Sequence, residues 1–394
     1  MGVTGWLTGH QKLNYTHSDK SATIVLKDGK STSLSQLCKD AIPPCYLNPL
    51  FFNGHLHTAW TVLDRSDPPI WYKRHIFESD DVTYDGTFAV DFVVRNSDSS
   101  SPLAKDASLP ERTTFFAPEE FDALPSDDSK PMLVCLHGLS GGSHEVYLRG
   151  VLKPLVGDGA NWEACVVNSR GCAMSKITSG VLYNARATWD IRQTVAWLRK
   201  AFPNRPLFAA GFSLGANILV NYIAEEGDSC ELQAAVVCSN PWNLDCTNSA
   251  LKRTWLGREV YLRFMASNMK KLVETHAETI QKNSDVDVDR VRKTRYLYEF
   301  DREIQCPTWG YPTEGAYYRD ASSVDSLLGV RIPLLGVNAE DDPIAAGECI
   351  PFNEFKANPL TALVTTAVGG HLSWFEPSGG RWFARAVSTF PSST

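Results

Sequence analysis

Nowhere in this 394-residue chain is there a run of about 18 apolar residues, so no segment is long enough to cross a bilayer as a helix. The first twenty residues, MGVTGWLTGHQKLNYTHSDK, lack the apolar core of a secretory signal, and Trp6 stands where a myristoylation signal wants Ser or Thr. Basic charge is in deficit: 38 Lys and Arg against 45 Asp and Glu leave a net charge of −7, which argues against bulk nucleic-acid binding. No two of the ten cysteines form a C-x-x-C pair, which removes the usual signature of a zinc or dithiol site. Cys135, Cys165 and Cys238 lie in apolar runs that read as buried strands, so core thiols are expected rather than a disulfide framework. The default expectation is a cytoplasmic protein, with peripheral contact to a membrane or lipid droplet left open.

What is present is a globular composition, 43% hydrophobic and 21% charged, with a clear rhythm in the second third. Two strand-like runs between Trp71 and Val94 flank the turn signal Tyr84-Asp85-Gly86 and predict a hairpin. Residues 96–130, rich in Ser, Asp, Pro and Lys, read as a surface loop too poor in apolar residues to pack as an element. Strands are then expected at Pro131–Leu136, Ala164–Asn168, Pro206–Ala210 and Ala234–Ser239, with helical patterns between them. Such alternation implies a mostly parallel sheet with helices on both faces. It stops near Trp242, where residues to about 320 carry helical patterns only, and resumes at Ile332–Val337 and Thr361–Val368. The expected organisation is an α/β-hydrolase fold with a helical cap insertion. Residues 1–70 form an N-terminal extension, 71–241 and 321–394 the two parts of the core, and 242–320 the cap.

Acyl transfer by serine needs an exposed hydroxyl, a histidine base, a carboxylate to orient it and donors for the oxyanion. In this fold the serine sits on a tight strand-to-helix turn of the form G-x-S-x-G. Two segments match: Gly138-Leu139-Ser140-Gly141-Gly142 and Gly211-Phe212-Ser213-Leu214-Gly215. Chain order decides for Ser213, because a later strand leads into Asp341-Asp342-Pro343 and the next into Gly369-Gly370-His371. Ser140 comes two strands too early, and His137-Gly138-Leu139 suits an oxyanion loop instead. The expected triad is Ser213, Asp341 and His371, with Asp342 as a turn residue before Pro343 and the N–H groups of Leu139 and Leu214 as oxyanion donors. His137, Trp255 and Phe264 are expected to contact substrate, the last two with Tyr261 and Leu262 in an acyl channel under the cap. The pair His55-x-His57 lacks further ligands, so neither a metal nor another cofactor is expected.

The motifs also resemble a known family. Asn48-Pro49-Leu50-Phe51-Phe52-Asn53-Gly54-His55-Leu56, the run from His137 to Glu145, and Asn168-Ser169-Arg170-Gly171-Cys172 are similar to the YheT-like (AB hydrolase 4) family. So are Gly211 to Asn217, Asn240-Pro241-Trp242, Arg319 to Ser323 and Asp341-Asp342-Pro343. That family includes fungal medium-chain acyl ethanol acyltransferase/esterases and mammalian monoacylglycerol-type lipases. The resemblance implies the same triad positions and an acyl substrate; His57 and Met174 depart from the family's pattern and bear on the pocket.

The function expected is acyl transfer through an acyl-enzyme, from an ester or acyl-CoA to water or a small alcohol. A dedicated transferase drawing acyl groups from a carrier protein is the alternative, and a non-catalytic ligand-binding fold a remote one. Residues 251–300 hold 11 Lys and Arg against 7 Asp and Glu, a local +4 that reads as solvated helix faces or as a surface for acidic lipid or acyl-CoA phosphates. Oligomeric state is left open.

Overall fold

The computed structural model describes residues 9–26, 29–95, 106–157 and 159–393. Its main sheet has ten strands: β1 (Asn14–His17), β2 (Trp71–Glu78), β3 (Thr87–Val94), β4 (Thr113–Phe115), β5 (Met132–Leu136), β6 (Glu163–Asn168), β7 (Leu207–Phe212), β8 (Ala234–Cys238), β9 (Leu334–Ala339) and β10 (Thr361–Thr366). They lie in the order β1-β10-β9-β8-β7-β5-β6-β3-β2-β4. From β6 through β10 all neighbours are parallel, while β3 on one flank and β1 on the other pair antiparallel.

Every residue of β5, β7, β8, β9 and β10 is buried, as a sheet covered on both faces requires. Side chains of one strand alternate between two cores. Met132, Val134 and Leu136 of β5 join the core on one face, and Leu133 and Cys135 the core on the other. Helices α2 (Val146–Val156) and α9 (Trp382–Ser393) pack together on the second face. Helices α3 (Trp189–Ala201) and α4 (Leu214–Glu226) lend their apolar residues to the first. Cys135, Cys165 and Cys238 are buried free thiols.

Between β8 and β9 the chain makes helices α5 (Leu244–Arg253), α6 (Arg263–Thr275), α7 (Leu297–Trp309) and α8 (Glu314–Ala321). A π-helical turn, Gly257–Leu262, leads into α6.

One expectation is corrected, and two further features appear. Within the segment read as a loop, residues 96–105 lie outside the described residues, but 106–130 hold β4 and the short helix Pro118–Asp122. Phe116 and Phe121 are the reason: they pack against the core beside Phe92 and Trp197 and give the segment an apolar anchor. In the stretch read as an N-terminal extension, β1 extends the sheet and helix α1 (Gly54–Leu63) runs beside the strand ends. Finally, Cys246 and Cys349 form a disulfide with a Cα–Cα distance of 6.0 Å, tying α5 to the turn after β9.

Candidate active site

The carboxyl ends of β5, β7, β9 and β10 converge at one edge of the sheet, where ligands bind in folds of this kind. Ser213 follows β7 directly and has φ 53°, ψ −118°, a conformation that costs energy for a residue with a β-carbon. Neighbouring glycines permit it. A β-carbon on Gly211 would lie 2.7 Å from Ala216 Cα, and one on Gly215 would lie 2.5 Å from the Leu136 carbonyl oxygen. The turn is held by the Ser213 amide, which donates to Cys238 O (2.9 Å), and by Ala216 and Asn217, which donate to Ser213 O.

His371 stands between two partners. Its Nε2 is 2.8 Å from Ser213 Oγ, and its Nδ1 is 2.8 Å from Asp342 Oδ2 and 3.1 Å from Asp342 Oδ1. The histidine loop is fixed by Thr58 Oγ1, which accepts from the His371 amide, and Ser239 Oγ, which accepts from the Leu372 amide.

The acid partner therefore corrects the expectation by one residue. Asp342 is buried, and its Oδ1 also accepts from the amides of Ile344 (2.8 Å) and Ala345 (2.9 Å). Those two bonds fix the carboxylate in the plane that faces His371. Asp341 points elsewhere: its Oδ1 accepts from the amides of Gly369 (2.9 Å) and Gly370 (3.1 Å). Burial pushes the Asp341 carboxyl up to about 6, against the lowering effect of those amides. Asp341 thus braces the turn that carries His371 without touching its ring.

Leu139 and Leu214 flank Ser213, and among the described residues neither backbone N–H donates to another protein group. Ser140 shares the positive φ of Ser213 (55°), but no histidine is hydrogen-bonded to it. Beneath the Gly138–Glu145 loop lies a network that sequence reasoning missed. Arg74 grips Asp91 through Nε (2.6 Å) and Nη2 (2.8 Å), both side chains fully buried, and Asp91 accepts from Ser143 Oγ (2.5 Å) and Asn168 Nδ2 (2.9 Å). Tyr147 Oη accepts from the Gly138 amide (2.8 Å). Asp91, the one charge in the mainly apolar strand Thr87–Val94, was the signal available.

The remaining expected contacts divide. His137 is a correction: it is buried, its Nδ1–H donates to Gly138 O (2.7 Å), and its Nε2 accepts from the Ser169 amide (3.0 Å). Burial lowers its pKa to about 4, so the ring is a neutral brace for the loop and lines no part of the cleft. Trp255 is a second correction, 69% exposed and outside the cleft lining. Phe264 and Tyr261 do line the cleft, as does Leu262. His55 and His57 face apart, His55 Nδ1 meeting Tyr261 Oη (2.8 Å) and His57 Nδ1 accepting from the Phe375 amide (3.2 Å).

Two spaces meet at the serine, sharing Leu139, Ser213, Met265 and Ile344 as walls. One is a cavity of about 100 Å³ beneath the inserted helices, walled largely by Leu244, Leu251, Leu262, Met269 and Leu297. The other is a broad groove of about 1250 Å³, and only this one is lined by His371.

Residues 131–377 match the family described as alpha/beta hydrolase fold. The chain is 35% identical over 389 residues to a protein of Saccharomyces cerevisiae named monoacylglycerol lipase, covering 94% of this chain and 85% of that one. It is 30% identical over 386 residues to the medium-chain fatty acid ethyl ester synthase/esterase 2 of the same yeast, covering 87% and 84%. Against phospholipase ABHD3 of Mus musculus the identity is 30% over 314 residues, covering 79% and 68%.

Proposed function

Because this chain belongs to the alpha/beta hydrolase fold family, we propose that Ser213, His371 and Asp342 perform its chemistry. The protein is a carboxylic ester hydrolase, with relatives named for ester hydrolysis and for ester synthesis. Ser213 Oγ attacks the acyl carbonyl while His371 Nε2 takes its proton; Asp342 holds the Nδ1–H tautomer and stabilises the imidazolium. The N–H groups of Leu139 and Leu214, with no protein acceptor, receive the developing oxyanion. His371 then gives its proton to the departing alkoxide, and the acyl group stays on Ser213 until water or an alcohol removes it.

The carrying observation is the relay Ser213 Oγ–His371 Nε2 (2.8 Å) and His371 Nδ1–Asp342 Oδ2 (2.8 Å). Stereochemistry then allots the two spaces. The leaving oxygen must reach His371, which lines only the broad groove, so the alcohol portion lies there and the acyl chain enters the smaller cavity. Substrates of this reading are small acyl esters or thioesters.

Labelling with a fluorophosphonate tests the assignment. Ser213→Ala is expected to lose labelling and at least about three orders of magnitude of turnover. Activity surviving in Ser213→Ala but lost in Ser140→Ala would transfer the role to the first glycine motif. Products formed from an acyl-CoA with and without ethanol distinguish hydrolysis from ester synthesis.

A further inference from the structure

Helix α1 is turned the unusual way. It buries only Gly54 and His57, while Leu56, Trp60 and Leu63, spaced four and three apart and so on one face, are 37%, 42% and 57% exposed. Leu50 and Phe52, just before it, are exposed as well. An amphipathic helix normally puts that stripe inward.

A second apolar segment lies beside it. Trp255 and Leu256, then Val260 and Phe264, are all exposed in the insertion. The two segments are joined where His55 of α1 stacks on Tyr261 and bonds its hydroxyl (2.8 Å). They also share the groove: Val62 from α1, Val260 and Phe264 from the insertion, and exposed Met174 from a third loop all line it. Exposed apolar residues scattered singly need no explanation, but two joined segments that each expose several and both reach the groove of a reactive serine do.

Charge around this mouth runs against the whole chain. Among the described residues Lys176 and Lys271, both exposed and both lining the groove, have no ion-pair partner, and Glu145 is the one Asp or Glu in that lining. Glu259 is the shared carboxylate of Arg258, Arg263 and Arg295, three cations on one anion. A net-acidic protein thus presents cations around an aromatic, apolar ring, the arrangement that suits an anionic lipid interface.

We propose that this rim docks on an anionic phospholipid bilayer, with α1 and the Trp255–Phe264 segment seated at the headgroup boundary so that the groove opens toward the lipid. The proposal rests on the reading that the groove receives the alcohol portion of an acyl ester, but docking does not require turnover and is measured apart from it.

Co-sedimentation with phosphatidylcholine–phosphatidylserine vesicles is the test. Wild type is expected to sediment with them, less with phosphatidylcholine alone and less at high salt. The triple variant Leu56→Ser, Trp60→Ser, Leu63→Ser, whose residues lie outside the groove lining, is expected to lose at least tenfold in partitioning while hydrolysing a water-soluble short-chain ester at the wild-type rate. Wild type staying in the supernatant, or the triple variant sedimenting unchanged, overturns the proposal. So does a dimer dissolved by the same substitutions without vesicle binding, which assigns the rim to a second copy. Should the triple variant fail to fold, quenching of tryptophan fluorescence by brominated lipid decides: it should fall in Trp60→Phe and in Trp255→Phe, and no change in either overturns the docking. Absence of soluble-ester hydrolysis by wild type would instead count against the active-site reading.

Discussion

At the scale of single residues the adjacent carboxylates carry most of the information. Asp342→Asn removes the group that fixes the His371 tautomer and is expected to lower kcat by about three to four orders of magnitude. Asp341→Asn disturbs only the Gly369–Gly370 turn and should cost far less; a larger loss there would return the role to Asp341. Ser213 and His371 were legible because a glycine-flanked serine and a later glycine-led histidine follow strands in a fixed chain order. The acid was not, because counting from a strand end cannot see which of two neighbours is turned inward. Here Asp342 caps the amides of Ile344 and Ala345, and that local turn decides. A second carboxyl is raised chiefly by burial: Asp301, in the cavity wall, accepts from Tyr318 Oη (2.6 Å), which lowers its pKa, yet burial pushes it up to about 7. A folded-state pKa above the unfolded value means the unfolded chain loses its proton first, so stability falls as pH rises from about 4 to about 7 and stays lower above that. Asp301→Asn should therefore gain on wild type as pH rises, the difference in Tm being larger at pH 8 than at pH 5; equal differences would remove Asp301 as a source of this dependence.

At the scale of elements the strands of the parallel core were readable, since a strand covered on both faces reads as a mainly apolar run. The inserted helices were readable by period. What escaped were contacts between distant segments: Phe116 and Phe121 finding Phe92 and Trp197, and Cys246 finding Cys349 across 103 residues. Neither cysteine lies near the other in sequence, and no local pattern marks them as partners. That bond pins the first turn of α5, whose Thr247 and Asn248 face the cavity, to the turn that follows Asp342. Closing a loop of this length is worth about 4 to 5 kcal/mol in the chain-entropy account. Cys246→Ser, or wild type under reductant, is expected to melt several degrees lower than the oxidised protein. Calorimetry with and without reductant checks it, and an identical Tm would mean the bond does not constrain folding.

At the scale of the whole molecule the question is how one serine serves two spaces. The sheet fixes the triad, but the insertion decides what reaches it, because Leu244, Leu251, Leu262, Met269 and Leu297 all come from inserted helices. Each methylene moved from water into such walls gains about 0.8 kcal/mol, close to a fourfold step in kcat/KM, until the cavity is full. A p-nitrophenyl ester series should therefore rise from acetyl toward medium chains and then fall. Walls so close to Ser213 make the position of the maximum adjustable: Leu251→Trp adds bulk inside the cavity and should move the optimum to shorter chains while leaving acetyl ester turnover nearly unchanged. Phe264→Trp, on the groove side, should not move it. If instead the acyl chain lay in the groove, the two variants would exchange their effects, and a profile peaking at acetyl in wild type would make this a short-acyl enzyme with the same relay. The comparison thus reads which space holds the acyl chain from the direction of a shift, independently of how fast either variant turns over.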